Sequence, residues 1–379
     1  MGESIARQVH ASGRDPGEVA RQLIDQLAAP DLKIAFVFAD RRLDPTPLAV
    51  AHRALCAPVV GCSALGLIGP GSAFTDGEPA AVGLGLYGDW LRVGVGVASE
   101  LSKAALARSH DAVHQAAARL GTTAGALDQG RHVAVTLVDG RCHHEEAFCI
   151  GSAAAAPKIR FVGGTASADL EHDERTFVWA GGEVRSDAAV VVVLDSEQPF
   201  HAVTSSHLMP TELRTVVTAA SGRVVEQLDG RPAGPRLRQL IASLGDRLDE
   251  PRPAHALARY IDGVPYVRSV YRVDGARLIL ASAVETGHVL RVMRPGDLVA
   301  TTRRDLAAAA ERVGGTMAAF LAFSCIGRHT EAALRSNAGD LVSAYAAYPT
   351  VGFQTLSEQS GMLLVNHTLT GLAIGARRS

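Results

Sequence analysis

The sequence lacks the features that mark membrane, secreted and nucleic-acid-binding proteins. Its longest apolar runs, AAVVVVL and MAAFLAF, are too short to span a bilayer, and the N-terminal MGESIARQVHASG has no apolar signal core. The 37 basic and 39 acidic side chains give a net charge of -2, and no basic run extends beyond pairs such as Arg41-Arg42. This balance leaves no electrostatic footprint for nucleic acid or an acidic membrane. We therefore expect a soluble cytoplasmic protein that binds neither nucleic acid nor a membrane.

The chain also lacks cysteine pairs and familiar cofactor motifs. His143 and His144 are adjacent, so they diverge on a helix and do not form the i, i+4 pair of an HExxH site. There is no Walker A loop, and without CxxCH any haem would be held non-covalently. The cysteines are odd in number and none lies in CxxC, which argues against a disulfide framework and a structural zinc site. They are Cys56, Cys62, Cys142, Cys149 and Cys325.

What the chain does contain is a strand-helix-strand unit that occurs three times. The runs LKIAFVFAD, HVAVTLVDG and TMAAFLAFSCIGR have the near-continuous hydrophobicity of strands covered on both faces. Each is followed by one helical pattern and then by a short strand with a Val-Gly step, in PVVG, IRFVGG and PTVGF. The crossover makes the two strands of a unit parallel, and turn signals such as Gly181-Gly182 predict antiparallel strands after it. The pattern predicts an α/β (α+β) fold with mixed sheets flanked by helices.

The 379 residues, 47% of them hydrophobic, are enough for two domains. Residues 1–30 are expected to form a helical segment, with Asp15 as N-cap, Pro16 at the first position and Glu18 at the third. Residues 31–225 contain the first two units, and residues 226–371 contain further strands and the third unit. Within the second range, the stretch DEPRPAHALA is interpreted as a proline-rich loop.

Several of these stretches together resemble the N- and C-terminal halves of the FIST domain family. They are VVGCSALG, FVGGTASADLEHDERTFVWAGGEV, TVVTAASGRVVEQLDGRPA, FSCIGRHT, VGFQTLSE and NHTLT, and they occur in order between about residue 32 and residue 370. The resemblance implies an intracellular sensory domain for small molecules such as amino acids. One branch of the family consists of haem proteins that sense nitric oxide and regulate partner kinases or cyclic-di-GMP enzymes. Because the chain resembles only the sensory part, its output would pass through a partner protein.

The chain departs from the family pattern at two positions. After the first Val-Gly step the family usually has Cys-Ser-Thr-Ala-Gly-Glu, whereas this chain has CSALGLIG, so Leu67 replaces the acid. In the third unit Glu358 is kept, but the preceding glycine is replaced by Ser357. A ligand-binding role for the acid of the first unit is therefore not expected here.

The carboxyl ends of the repeated strands are the expected ligand-binding positions, since loops and helix N-termini offer free N–H groups there. In the third unit, Arg328 would lie just before a helix capped by Thr330 and suits an anionic group, or else it pairs with a nearby acid on the surface. The other candidate contacts are small or polar side chains at the strand ends. The full set is Arg328, Cys325, Ser324, His329, Glu358, Thr355, Asn366, Cys62, Ser63 and Thr165.

His367 is the candidate haem ligand. If GMLLVNHTLTGLAI is one strand, period-two alternation places Leu363, Val365, His367 and Leu369 on one face. A histidine on an apolar face suits a haem iron, and it equally suits a core histidine that hydrogen-bonds a backbone carbonyl. His329 is the second candidate for the iron.

Three classes of function remain open from the sequence. The first is a sensor that binds a small molecule or haem and signals through a partner. The second is an enzyme with Cys325 or Cys62 as nucleophile, for which no acid/base pair is visible. The third is a protein-interaction scaffold. Spare strand edges in mixed sheets would allow a homodimer.

Overall fold

The computed structural model describes residues 5–70, 77–169, 174–250, 253–261 and 263–376. No helix within these ranges is long and apolar enough to cross a membrane. The helices are α1 (Pro16–Leu27), α2 (Thr46–Ala49), α3 (His52–Leu55), α4 (Leu101–Arg119), α5 (Glu145–Ala155), α6 (Ala233–Ala242), α7 (Leu298–Arg312), α8 (Ile326–Leu334) and α9 (Ala338–Ala346).

The strands are short, and most are buried. They are β1 (Ala6–Ser12), β2 (Leu32–Asp40), β3 (Val59–Ala64), β4 (Leu67–Ile68), β5 (Ala80–Tyr87), β6 (Leu91–Ser99), β7 (His132–Val138), β8 (Arg160–Thr165), β9 (Val178–Ala180), β10 (Glu183–Arg185), β11 (Ala188–Ser196), β12 (Phe200–Ser205), β13 (Leu208–Ser221), β14 (Val224–Leu228), β15 (Arg231–Pro232), β16 (Ala256–Ile261), β17 (Val264–Asp274), β18 (Arg277–Leu280), β19 (Val289–Pro295), β20 (Met317–Cys325), β21 (Thr350–Thr355), β22 (Glu358–Ser360), β23 (Leu363–Val365) and β24 (Leu369–Gly375).

Three mixed sheets share one strand order. Sheet I runs β1-β5-β2-β3-β9-β10, sheet II runs β6-β11-β7-β8-β22-β23, and sheet III runs β12-β24-β20-β21-β4. At the centre of each lies a parallel pair, β2 with β3, β7 with β8, and β20 with β21. The predicted α/β (α+β) class with repeated units and mixed sheets is confirmed.

The strand that follows each Val-Gly step pairs with a different unit. Strand β4 follows β3 but joins sheet III beside β21, β9 follows β8 but joins sheet I beside β3, and β22 follows β21 but joins sheet II beside β8. The exchange is cyclic and links all three sheets. Sheets II and III therefore combine strands from both sides of residue 225, and the division into domains at that residue stays a prediction.

The Val-Gly step repeats because the backbones approach closely there. Each glycine lies beside the first strand of its own unit, and a Cβ on it would overlap the carbonyl oxygen of the residue paired with it. The distances from that Cβ would be 1.8 Å to Val37 for Gly61, 2.1 Å to Thr136 for Gly163, and 1.8 Å to Ala322 for Gly352. A side chain would push the parallel strands apart, so glycine is the residue that the three positions accept.

The inner faces of the three sheets form one apolar core, and helices cover the outer faces. Phe38 of sheet I packs against Phe353 of sheet III, with ring centroids 4.7 Å apart, and edge-on against Phe323 at 6.4 Å. Outside, α1 to α3 pack on sheet I, α4 and α5 on sheet II, and α7 and α9 on sheet III. Burying each phenylalanine ring contributes roughly 1.5–3 kcal/mol, which favours this three-sheet arrangement.

A fourth sheet is inserted into the third unit, between β12 and α7. It runs β13-β19-β16-β17-β18-β14-β15 and packs on α6 over an apolar core of its own. We call it the inserted sheet. The sequence predicted further strands in this region, but β16 was missed because it starts within the stretch interpreted as a proline-rich loop.

The structure confirms some local predictions and corrects others. Helix α1 begins as predicted, since the Asp15 carboxylate accepts hydrogen bonds from the backbone N–H groups of Gly17 and Glu18. The segment before it also contains β1, which pairs with β5. In the first unit the single predicted helix is two short ones, α2 and α3. Asp76-Gly77, a second turn signal of the sequence, includes a residue outside the described ranges.

Two corrections concern the third unit. Its helix was predicted to start at Thr330, but α8 begins at Ile326, so Arg328 and His329 lie inside it. The chain also breaks at His367, whose φ is +57°, and the predicted single strand is in fact β23 and β24. The left-handed conformation at His367 interrupts the period-two alternation on which the predicted face rested.

Candidate functional site

A small cleft lies where the carboxyl ends of β20 and β21 meet the inserted sheet. Its volume is about 60 Å³. Strand β20, helix α8 and the segment around His367 line one side of it with polar and titratable groups, and β17 of the inserted sheet forms the other side. The lining includes Ser269, Cys325, Gly327, Glu331, Leu356 and His367.

Two histidines converge on one carboxylate beside this cleft. Oε2 of Glu331, in α8, accepts hydrogen bonds from Nε2 of His207 at 2.7 Å and from Nε2 of His367 at 2.9 Å. All three side chains are buried, and Nδ1 of His367 lies 3.3 Å from Oγ of Ser269. Nε of Arg335 lies 2.9 Å from Oε1 of Glu331 and holds the other end of the carboxylate.

The protonation states of this group follow from burial and hydrogen bonding. Burial raises the pKa of Glu331, but hydrogen bonds from His207 and His367 outweigh it and lower the pKa to about 2. Burial lowers the pKa of His207 to about 4, against the opposing effect of Glu331. At neutral pH Glu331 is therefore an anion and His207 a neutral donor.

Glu358 forms a second buried acid on the opposite side of Cys325. It is fully buried, and Oε2 accepts hydrogen bonds from Oγ1 of Thr368 at 2.5 Å and from its backbone N–H at 3.3 Å, while Oε1 accepts from Thr355. Burial outweighs these hydrogen bonds and raises the pKa of Glu358 to about 8. At neutral pH the Glu358 carboxyl is therefore mostly protonated.

Asn366 makes a separate set of hydrogen bonds. Its Nδ2 donates to Oγ of Ser357 at 3.0 Å, and its Oδ1 accepts from Oγ of Ser282 in the inserted sheet region. This amide thus links the break between β23 and β24 to Ser357 and to Ser282. Of the predicted contacts, Thr355 and Glu358 are thus hydrogen-bonded to each other, whereas Asn366 bonds Ser357 and Ser282.

The two candidate nucleophiles are buried thiols. Burial raises the pKa of Cys325 well above its ordinary value, and the nearby Glu358 raises it further, which outweighs backbone hydrogen bonds from Gly327 and His367. Burial raises the pKa of Cys62 in the same direction. A thiolate is the reactive form of cysteine, so neither residue has the environment of an activated nucleophile.

The cluster of Ser324, Arg328 and His329 lies behind the cleft, not in it. Arg328 is fully buried and donates from Nη2 to Oγ1 of Thr302 at 2.6 Å, while its Nε and Nη1 have no hydrogen-bond partner among the described residues. Nε2 of His329 lies 3.1 Å from Oγ of Ser324, which lies 2.8 Å from the Tyr345 hydroxyl. The ligand-binding role predicted for these residues stays a prediction.

Ser63 and Thr165 lie where the Val-Gly strand ends meet. Oγ of Ser63 accepts from the backbone N–H of Phe177 at 2.9 Å. Oγ1 of Thr165 accepts from the backbone N–H of Ser357 at 2.9 Å, which joins the second strand end to the third. Both side chains are buried and hydrogen-bonded within the protein, so they connect the units where the sequence predicted a crevice.

Sequence reasoning missed His207 and Glu331. His207 lies 124 residues before Glu331, in the segment SSHLMP, and Glu331 lies within an ordinary helical pattern. Neither has a motif or a spacing that marks it. Only the fold brings them to His367.

The described residues do not fit a haem. Both ring nitrogens of His367 are hydrogen-bonded, Nε2 to Glu331 and Nδ1 to Ser269, so a haem iron would have to displace one of these bonds. The cleft of about 60 Å³ is far smaller than the roughly 300–1,000 Å³ of pockets that enclose drug-sized ligands. His329, the second candidate, contacts Ser324 in the core and does not line the cleft.

Comparisons with known proteins give distant structural likenesses and one clear family. A crystal structure of cyanuric acid hydrolase from A. caulinodans matches over 99% of both chains, with 13% identity and a TM-score of 0.36. A structure of PurLQS from Thermotoga maritima matches with 11% identity and a TM-score of 0.21, over 98% of this chain and 72% of that one.

Among curated proteins, an uncharacterized protein of Methanocaldococcus jannaschii is 33% identical over 84 residues. The match covers 22% of this chain and 16% of that protein's length. The family models match far more of the chain. The FIST N domain model covers residues 12–231 and the FIST C domain model covers residues 233–361. The chain therefore belongs to the FIST family, whose domains have a sensory role in signal transduction.

Proposed function

We propose that this protein senses a small, amino-acid-like molecule that binds in the cleft between the third unit and the inserted sheet. The observation that carries the proposal is the convergence of the buried, ionised Glu331 with His367, Ser269 and the start of α8 on one cleft. Buried titratable groups with shifted pKa values cluster at functional sites. Burying such a group costs free energy, and a functional role accounts for keeping it.

The cleft offers groups for both ends of an amino acid. Backbone N–H groups in the first turn of α8, around Gly327, suit a carboxylate, since the helix dipole is positive there. The carboxylate of Glu331 and the hydroxyl of Ser269 suit an ammonium group. The lack of a side chain at Gly327 keeps this part of the cleft open, because a Cβ there would lie 3.0 Å from Nδ1 of His367.

The size of the cleft couples binding to movement. At about 60 Å³ the cleft is small beside the roughly 300–1,000 Å³ of pockets that enclose drug-sized ligands. We infer that a ligand of amino-acid size widens the cleft by moving the inserted sheet away from β20 and α8. Since the ligand prefers the displaced state, it shifts the population toward that state, which is what a sensor requires.

The inserted sheet also offers a surface through which a partner protein could read this movement. Val216 of β13 and Val289 of β19 lie opposite each other in register, and their side chains are 37% and 53% exposed. Apolar side chains adjacent on an exposed sheet favour protein contacts over solvent.

A thermal-shift screen of amino acids and small carboxylates tests the proposal, since a ligand that binds the native state raises the melting temperature. Gly327→Ala should abolish the shift, because its Cβ enters the cleft. Gly339→Ala is the matched control, since a Cβ there meets nothing within 4 Å and the residue also lies in a helix. A screen without any shift, or a shift that Gly327→Ala leaves intact, would reject this site.

The haem alternative has its own readout. A Soret band that forms on reconstitution and disappears in His367→Ala would replace the present proposal. We expect no such band, for the reasons of volume and hydrogen bonding given above.

A further inference from the structure

We propose that His207, Glu331 and His367 form a binding site for a divalent first-row transition ion, with Zn²⁺ the ion of choice. The inference goes beyond the sensory proposal, because ion binding itself requires no sensed ligand. It rests on that proposal only for what the ion would do in the cleft.

The donor set is the first argument. Two imidazoles and one carboxylate are the ligands of His₂Glu zinc sites and of the two-histidine, one-carboxylate iron sites. Nitrogen donors disfavour Mg²⁺ and Ca²⁺, which prefer oxygen ligands. Nε2 of His207, Nε2 of His367 and a carboxylate oxygen of Glu331 all lie within 4.8 Å of one another.

The spacing is the second argument. Two ligand atoms at about 2.1 Å from one zinc ion, at the tetrahedral angle, lie about 3.4 Å apart. The distances from Oε2 of Glu331 to the two imidazole nitrogens are 2.7 Å and 2.9 Å. The three groups are therefore close enough to exchange their hydrogen bonds for bonds to a shared ion once the imidazoles move outward from the carboxylate.

The surroundings are the third argument. When an ion takes Nε2 of each ring, the proton moves to Nδ1, and for His367 that proton is donated to Oγ of Ser269, 3.3 Å away. Nδ1 of the buried His207 has no hydrogen-bond partner among the described residues, so His367 alone of the two rings has the outer partner that metal-bound histidines use. Arg335 holds Oε1 of Glu331, which leaves Oε2 for the ion.

The cleft gives the ion an entrance and an open position. Glu331 and His367 line it, and three protein ligands leave zinc a fourth position for water or for a basic group of an incoming molecule. In the proposed sensor, a carboxylate or amine of the sensed molecule would occupy that position.

The experiment is ion binding by the chelator-treated full chain. We expect one Zn²⁺ per chain by elemental analysis after desalting, and a Co²⁺ absorption spectrum that Zn²⁺ displaces. Glu331→Gln and His207→Gln should each weaken binding by at least about 100-fold, since even outer partners of zinc ligands contribute 10–100-fold. His255→Gln is the control, because His255 is buried and bonded to a carboxylate, Oδ2 of Asp246 at 3.1 Å, without a third ligand.

The wild-type measurement decides the matter even if a variant fails to fold. A folded wild-type chain that retains no ion overturns the inference, as does equal binding by wild type and Glu331→Gln. Repeating the amino-acid screen on chelated and zinc-loaded protein separates the two proposals. A ligand that stabilises the chelated protein would support the sensor and show that sensing needs no ion. Ion binding with no stabilising ligand in the screen would support the metal site alone.

Discussion

Gly352 lies so close to Ala322 on the neighbouring parallel strand that a Cβ on the glycine would be 1.8 Å from the alanine carbonyl oxygen. Gly61 and Gly163 have the same relationship to Val37 and Thr136. The shared closeness makes the Val-Gly step a structural requirement of each parallel pair.

We predict that Gly352→Ala lowers the free energy of unfolding by about 1–3 kcal/mol or more, because the added methyl group forces apart two buried strands. Urea denaturation followed by circular dichroism measures the change. Gly339→Ala should leave stability unchanged or raise it slightly, since that helix position is open and alanine favours helix. Equal stability of the two variants would contradict the close approach.

Glu358 should make the protein less stable as the pH rises. Its pKa is raised from 4.5 to about 8 by burial, so the folded state binds a proton that the unfolded state releases. The stabilising contribution is complete below about pH 4.5 and is lost as the pH passes through about 8. The groups that face the carboxyl are the Cys325 thiol and the hydroxyls of Thr355 and Thr368.

The measurement is the urea midpoint of wild type and Glu358→Gln between pH 5 and pH 8.5. The wild type should lose stability on the order of a few kcal/mol more than the variant over this range. Glu183→Gln removes a largely exposed acid and serves as the control. Parallel pH profiles for wild type and Glu358→Gln would show that Glu358 is ionised in the folded state.

Thiol labelling should distinguish surface from core cysteines. Cys56 is exposed, whereas Cys62, Cys149 and Cys325 are buried and their pKa values are raised by burial. Iodoacetamide at near-neutral pH should label Cys56 first and reach Cys325 only after denaturation. Cys56→Ser should remove the fast phase and Cys325→Ser should not. Fast labelling of native Cys325, located by mass spectrometry, would favour the cysteine-enzyme alternative.

Arg328 should be a source of instability in the unliganded protein. Two of its buried N–H groups lack partners among the described residues, so Arg328→Met should raise the free energy of unfolding by about 1–3 kcal/mol. Arg335→Met should lower it, because that change leaves the buried Glu331 without its ion pair. Destabilisation by Arg328→Met would mean that an anion or solvent satisfies the guanidinium, and stabilisation of the wild type by phosphate would identify the anion.

Local sequence determined the elements of this protein. Strand β2 begins and ends where the apolar run does, and α1 begins at the predicted cap, because side-chain periodicity and capping act over a few residues. The three repeated units and the Val-Gly stops were visible for the same reason. Helices α8 and α9 were merged, since no glycine or proline marks the break between them.

Tertiary structure decided which elements meet. The cyclic exchange of β4, β9 and β22 depends on pairing between residues far apart in the chain, which local periodicity does not encode. The same holds for the site: His207 and His367 reach Glu331 across 124 and 36 residues, and the left-handed turn at His367 aims its ring away from the face that alternation predicts. The sequence by itself thus determined the repeated unit. Burial of three sheets in one core and packing of the inserted sheet brought the site residues together.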